Sequence, residues 1–346
     1  MSISVSPDPR TRWGKGVLFG LGGSLIVSLI VLAFLWPVAT SSPRDLPLVI
    51  AGPSEQTAAV EQALDTQSDG LFAFTEAKDR AEAVSAIEKR EAYGAIVLGQ
   101  KPEVLVASAA NSAVAQQLTG VGAKLQQMLA QQVKAAGGDP SQLQVAVTDV
   151  VPLADTDPNG AGLAVASFPL TLGGIIGGML VSFLVVGSWR KLTALTVYAV
   201  GAGLLVAAIL QPWFGVLQGS FILNALVIGL SMFATGSLIV GLHSFLGRGG
   251  AVLGAILTLF VGNPISAATM PHQFLAGAWG DIGQGFVPGA ASTLLRSVSY
   301  FPEAATSAQW WTLVIWSAAG IVLLTLGRLR RRAAEAKGVV TATSAA

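Results

Sequence analysis

Residues 250–261 read GAVLGAILTLFV, and the run then stops at Gly262-Asn263-Pro264-Ile265-Ser266-Ala267-Ala268-Thr269-Met270-Pro271, GNPISAATMP. A helix needs about 20 apolar residues to cross a bilayer core, and about a dozen pass here before two prolines and an asparagine arrive. Pro264 has no N–H and disfavours helical geometry at Asn263, so a helix through this run is expected to end or kink near Gly262. In lipid each freed backbone group costs several kcal/mol, so the break must be buried in protein or line a wet cavity. The expectation is a re-entrant segment over about 264–305 in place of a simple crossing; the other reading left open is a kinked helix that simply ends early beside its neighbours.

The rest of the chain supplies the setting for this break. Apolar residues make up 52% of the 346 and charged residues 11%, with a mean hydropathy of +0.64, which places the chain among integral membrane proteins. There is no cysteine, which excludes disulfides and thiolate metal sites, and His243 and His272 are too few for a histidine-based metal centre. Both are read as interfacial residues. Apolar segments lie at about 17–36, 165–187, 192–210, 219–242, 250–263 and 310–327, and all but 250–263 are long enough to span. The first follows Arg10, Arg12 and Lys15 and exceeds the roughly 7 to 15 apolar residues of a signal peptide, so it is read as an uncleaved anchor.

Basic residues set the orientation. With residues 1–16 in the cytoplasm, six crossings place Arg190 with Lys191, Arg248, and the tail 328–346 (Arg328, Arg330, Arg331, Arg332, Lys337) on that same side. Arg296 is the only basic residue in the short connections left outside. Residues 38–164 form the one large polar region, with fifteen acidic against eight basic residues. Their pattern reads β (46–52), α (54–64), β (71–76), α (79–91), β (93–99), β (103–109), α (113–135) and β (144–153). Ser54 and Asn111 suit helix N-caps, and Gly137-Gly138-Asp139-Pro140 is a stop signal. The expected fold is therefore an α-helical membrane protein with six transmembrane helices, plus an α/β extracytoplasmic domain at 38–164, inserted between helices 1 (17–36) and 2. A membrane domain at 165–327 carries helices 2–6. The localisation expected is the plasma membrane, multi-pass, with both termini cytoplasmic.

Chemistry-bearing residues are few. The apolar segments contain no Asp, Glu, Lys or Arg, which argues against a proton- or sodium-coupled transporter. Ser220, Asn224, Ser231 and Thr235 fall on one helical face at about 100° per residue. Two readings stay open for them: helix-to-helix hydrogen bonding, or the polar wall of a substrate path. Gly173-Gly174-Ile175-Ile176-Gly177-Gly178 permits close helix packing or forms a moving or dimer-forming surface. A phosphate loop is absent, since Gly14-Lys15-Gly16 lacks both the first glycine and the hydroxyl, and GxSxG and HExxH are missing too. An enzyme is the least expected class; no metal or cofactor in this chain and no nucleic-acid partner are expected.

The order of one anchor, a polar α/β region, and a block of apolar segments containing Gly262-Asn263-Pro264, then Val287-Pro288-Gly289-Ala290 and Leu295-Arg296-Ser297, resembles the ABC-2 type membrane permeases, especially the YhgE/Pip-like branch. The resemblance spans nearly the whole chain. It implies a half-transporter that forms a homodimer or heterodimer with a second half in the lipid membrane. An ATP-binding subunit in trans, carrying ATP and Mg, would drive it from the cytoplasmic side. It also implies export of a lipophilic or cell-envelope-related substrate, short re-entrant helices between the fifth and sixth helices, and an outer gate at Gly262, Asn263, Pro264, Pro288 and Arg296. Arg190 and Lys191 would dock the ATPase. Only 16 residues precede the first span, and the loop Ser188-Trp189-Arg190-Lys191 is small. That leaves open a second reading, a non-transporting scaffold or accessory protein whose outer domain binds a partner in envelope assembly.

Overall fold

Residues 12–68 and 70–344 are described by the computed structural model; the remainder, Arg10 included, lie outside it. Helix α1 (Trp13–Ala39) is apolar after Lys15 apart from Ser24 and Ser28, and a short connection leads from it into strand β1 (Leu46–Ala51). Next in the chain are α2 (Ser54–Ser68), β2 (Phe72–Ala77), α3 (Arg80–Glu88), β3 (Gly94–Val97), β4 (Glu103–Val106), α4 (Ser112–Ala135) and β5 (Ala146–Asp149). The strands form one sheet in the order β2-β1-β3-β4-β5, antiparallel only between β3 and β4, where Ala95 faces Leu105. Helices α3 and α4 start where a side chain can accept from a backbone N–H that has no partner within the helix. Asp79 accepts from Glu82 N at 2.9 Å to start α3, and Asn111 accepts from Val114 N at 3.1 Å to start α4.

Both faces of the sheet are covered, which is why its strands read as nearly continuous apolar runs. On one face Leu48, Ile50, Ile96 and Val104 pack against Leu64 of α2 and Leu118 of α4; on the other, Val49, Ala95 and Leu105 pack against Ile87 of α3. Each face also receives one aromatic ring from the second half of the chain: Phe274 joins the α4 side and Phe301 the α3 side. Fully burying such a ring is worth about 1.5–3 kcal/mol, so these two rings seat the sheet unit on the helices of the second half.

The second half comprises α5 (Ala161–Leu184), α6 (Ser188–Ala208), α7 (Phe221–Leu246), α8 (Arg248–Ile256), α9 (Trp279–Gln284), α10 (Val287–Tyr300) and α11 (Ser307–Ser344). Among the described residues, five helices are long and apolar enough to cross a membrane: α1, α5, α6 with its continuation to Trp213, α7, and α11 as far as Glu335. This is a multi-pass membrane protein with a small sheet. Helix α8, with its continuation to Gly262, is apolar but shorter than those five.

Helix α7 sits at the centre, and its neighbours reach it through small residues. Cβ atoms built at Gly174 and Gly178 of α5 would stand 2.8 Å from Thr235 Cβ and 2.9 Å from Gly236 Cα. Gly203 of α6 abuts Gly229, and Gly320 and Gly327 of α11 abut the backbone at Ser237 and Ser244. Between apolar helices in apolar solvent, such close backbone approach supplies the van der Waals packing that hydrophobic burial supplies in water. The glycines at 174 and 178 are thus occupied in helix packing within the chain.

Candidate functional site

The apolar run that precedes Gly262 forms α8 and continues in a wider turn over Leu257–Gly262, where Asn263 N donates to Thr258 O five residues back. Asn263 itself keeps helical dihedrals (φ −72°, ψ −44°), so the preceding-residue effect of Pro264 does not take hold there. The chain turns instead at Ala267, a non-glycine residue in the left-handed region (φ 52°). Polar groups freed at the break are met by side chains. Ser266 Oγ donates to Asn263 O at 2.7 Å, Gln284 Nε2 to Ser266 O at 3.2 Å, and Thr171 Oγ1 to Asn263 Oδ1 at 3.2 Å. Residues 264–305 hold two short 3-10 turns (Pro264–Ser266, His272–Phe274) with α9 and α10, and Pro288 lies in the first turn of α10.

The four polar residues of the α7 region divide into three roles. Ser220 caps the helix, accepting from Leu223 N. Asn224 is fully buried and saturated: its amide donates to Gln211 Oε1 at 2.9 Å and Gln218 O at 2.8 Å, and its oxygen accepts from Ser299 Oγ at 2.9 Å. Ser231 and Thr235, with Ser167 and Thr171 of α5 and Pro288 and Ser292 of α10, line a cavity of about 30 Å³. Candidate path and candidate gate therefore meet there, while Asn224 locks α7 to α10.

Arg190 and Lys191 belong to the first turn of α6. Lys191 is buried, donating from Nζ to Ser182 O at 3.0 Å and lying 3.2 Å from His243 Nδ1, so it does not present its charge to a docking partner; Arg190 is exposed. Arg328 and Arg330 stand at this same end, Arg328 over the Trp189 ring and Arg330 over the Phe245 ring.

Arg296 stands elsewhere, at the sheet end of the bundle, in the wall of a cavity of about 300 Å³. The cavity lies between the sheet unit, the break and α10, and its walls include Arg90, Tyr93, Asn111, His272 and Gln309. Arg90 follows α3 in the left-handed region (φ 60°), a position glycine fills at least cost. Its Nη1 donates to Thr293 O at 3.0 Å and Ser297 Oγ at 2.7 Å, and its guanidinium lies 5.3 Å over the Phe301 ring. Arg296 Nη1 donates to Ala109 O at 2.9 Å. Burial, then the like charge of Arg296, pushes the Arg90 pKa down to about 10, still charged at neutral pH. Among the described residues the ion pairs are Arg80–Glu103 and His272–Asp281, and neither of the two arginines is in one. Arg90 has no motif to mark it in the sequence, where the one local signal is a helix ending without glycine, and His272 reads there as no more than an interfacial residue.

Among the described residues, no group of three or more His, Asp or Glu side chains is placed to hold a metal ion. No family model matches the chain, and comparisons with curated proteins and with solved structures return no match.

Proposed function

We propose that the chain is the membrane subunit of an ABC-2 type exporter of the YhgE/Pip-like branch, moving a lipophilic or cell-envelope-related substrate outward with a separate ATP-binding subunit. In this reading α8 is the fifth of six membrane helices and α11 the sixth. The sheet unit is an extracytoplasmic domain between helices 1 and 2, and both termini face the cytoplasm of a plasma-membrane protein. The observation that carries it is the break: α8 ends at Gly262–Pro264 at the sheet end, and α9 and α10 fold back so that Pro288 meets Ser231 and Thr235 of the central helix. A broken helix is tolerated in a membrane only where protein or water satisfies it, and here it lies beside a small cavity with hydroxyls of Ser167, Thr171, Ser231, Thr235 and Ser292 in its wall, the setting expected of a gate. A second half, identical or related, would complete the path. Helix α1 leaves room for one, with open space around Gly16, Gly20 and Gly23.

The burial of Lys191 favours the second reading, a scaffold without transport, because Arg190 is left as the single exposed cation of the pair. Affinity purification of the intact chain from its native membrane decides between them. The permease reading expects an ATPase to co-purify and its turnover to fall severalfold in Arg190→Glu. A purified assembly with no ATPase, or one whose association and turnover ignore Arg190→Glu, would leave the scaffold.

A further inference from the structure

We infer that the cavity between the sheet unit and α10 binds the phosphate headgroup of a lipid with net negative charge at the membrane surface, held by Arg90 and Arg296. This assignment stands on the cavity alone and does not rest on the permease reading. Two guanidiniums share one enclosure of about 300 Å³, and among the described residues no carboxylate is paired with either. Like charges brought together and partly desolvated repel; Asp157 acts electrostatically on Arg296 without forming an ion pair, and an anion in the cavity would relieve the repulsion between the two arginines. Only Nη1 of each arginine is engaged in hydrogen bonds within the described residues, all to neutral oxygens, which leaves the remaining fork donors for a ligand. Planar forks of this kind suit phosphate oxygens bidentately. Glu91 is the one acidic residue of the walls, against Lys89, Arg90 and Arg296, so the enclosure favours an anion.

Two further features point to a ligand. Gln309 Oε1, also in the wall, is buried without a partner among the described residues, an acceptor that the P–OH of a singly protonated phosphate monoester would satisfy. Arg90 and Ala267 are two of the three non-glycine residues at positive φ among those described, and both border this cavity. Strain of that kind is kept where a side chain or a turn is needed in place. The lipid source follows from depth. Trp36 packs edge-on to Trp279 at 5.6 Å, Trp311 is 65% exposed at the start of α11, and Gln309 immediately precedes Trp310. Tryptophans at span ends sit at headgroup level, so the cavity opens where lipid phosphates lie.

The test uses the full-length chain in detergent, titrated with phosphatidate and followed by native mass spectrometry and thermal unfolding. Phosphatidate should bind and raise the melting temperature, phosphatidylcholine much less. Arg90→Gly, which suits the left-handed turn, and Arg296→Gln should each weaken phosphatidate binding about tenfold or more, the loss expected for a charge-assisted hydrogen bond. Lys101→Gln, an equal charge change on the exposed sheet rim, should bind as the parent does. Should Arg296→Gln fail to fold, Arg90→Gly carries the comparison. Equal binding by parent and Arg90→Gly would overturn the assignment and leave the arginines as struts between the sheet unit and α10. Inorganic phosphate that protects as well as phosphatidate would overturn the lipid source.

Discussion

In the sheet unit Leu48, Ile50, Ile96 and Leu118 are fully buried. In the bundle Asn224, Thr235 and Ser237 are buried, while Leu184 is 75% and Leu205 68% exposed. The two regions solve the same packing problem in different solvents. Water drives large apolar side chains inward in the first. Lipid gives no such drive in the second, where small residues and hydrogen bonds hold helices together and large apolar side chains face out. The cavity with Arg90 and Arg296 lies where the two regimes meet, a place where charged groups can be partly buried without leaving the reach of the surface.

The sharpest way to break this contrast is to enlarge a bundle glycine. A Cβ at Gly241 would stand 2.9 Å from Leu323 Cβ and closer still to the Gly320 carbonyl, backbone that cannot step aside. Gly241→Val should destabilise by more than about 3 kcal/mol, beyond ordinary overpacking, and abolish monodisperse protein in detergent. Gly201→Val, on α6 with nothing within 4 Å, should leave the elution profile and melting temperature as they were. Equal behaviour of the two would show that small residues are not what joins α7 to α11.

A smaller effect is expected at Asn224. Asn224→Leu adds apolar bulk but strands Gln211 Oε1 and Ser299 Oγ, so it should cost about 1–3 kcal/mol, read as a lowered thermal midpoint in detergent. A rise in the midpoint would mean that apolar packing governs the bundle interior as it governs the sheet.

The same contrast explains what was legible in the sequence. Period-two and helical patterns with caps place β1 to β5 and α2 to α4 within a few residues, because water enforces one pattern per element. Asn111 caps α4 as its residue type predicts, whereas Ser54 is the first residue within α2 and Asp79, not singled out in the sequence, caps α3. The apolar segments locate the bundle helices, and the GNP stretch locates the end of α8. On α7 the face carrying Asn224, Ser231 and Thr235 turns inward as its polarity marks it, but the apolar residues around it carry no periodicity that separates inward from outward. Lys191 read as a loop cation because four residues between apolar runs gave no sign that α6 begins at Ser188. Arg90 and Arg296 lie far apart in the chain and meet only because Phe274 and Phe301 seat the sheet unit on the bundle. No local pattern encodes a contact of that kind.

The central claim is that α8 stops at Gly262–Pro264 and returns to the side that carries the sheet. The chain has no cysteine, so single-cysteine variants report without background. Ala278 in the break, Gln100 on the sheet rim and Arg248 at the opposite end are all exposed. With a membrane-impermeant maleimide applied to intact cells, Ala278→Cys and Gln100→Cys should label together, and Arg248→Cys only after lysis. Labelling of Ala278→Cys with Arg248→Cys, and apart from Gln100→Cys, would contradict the account.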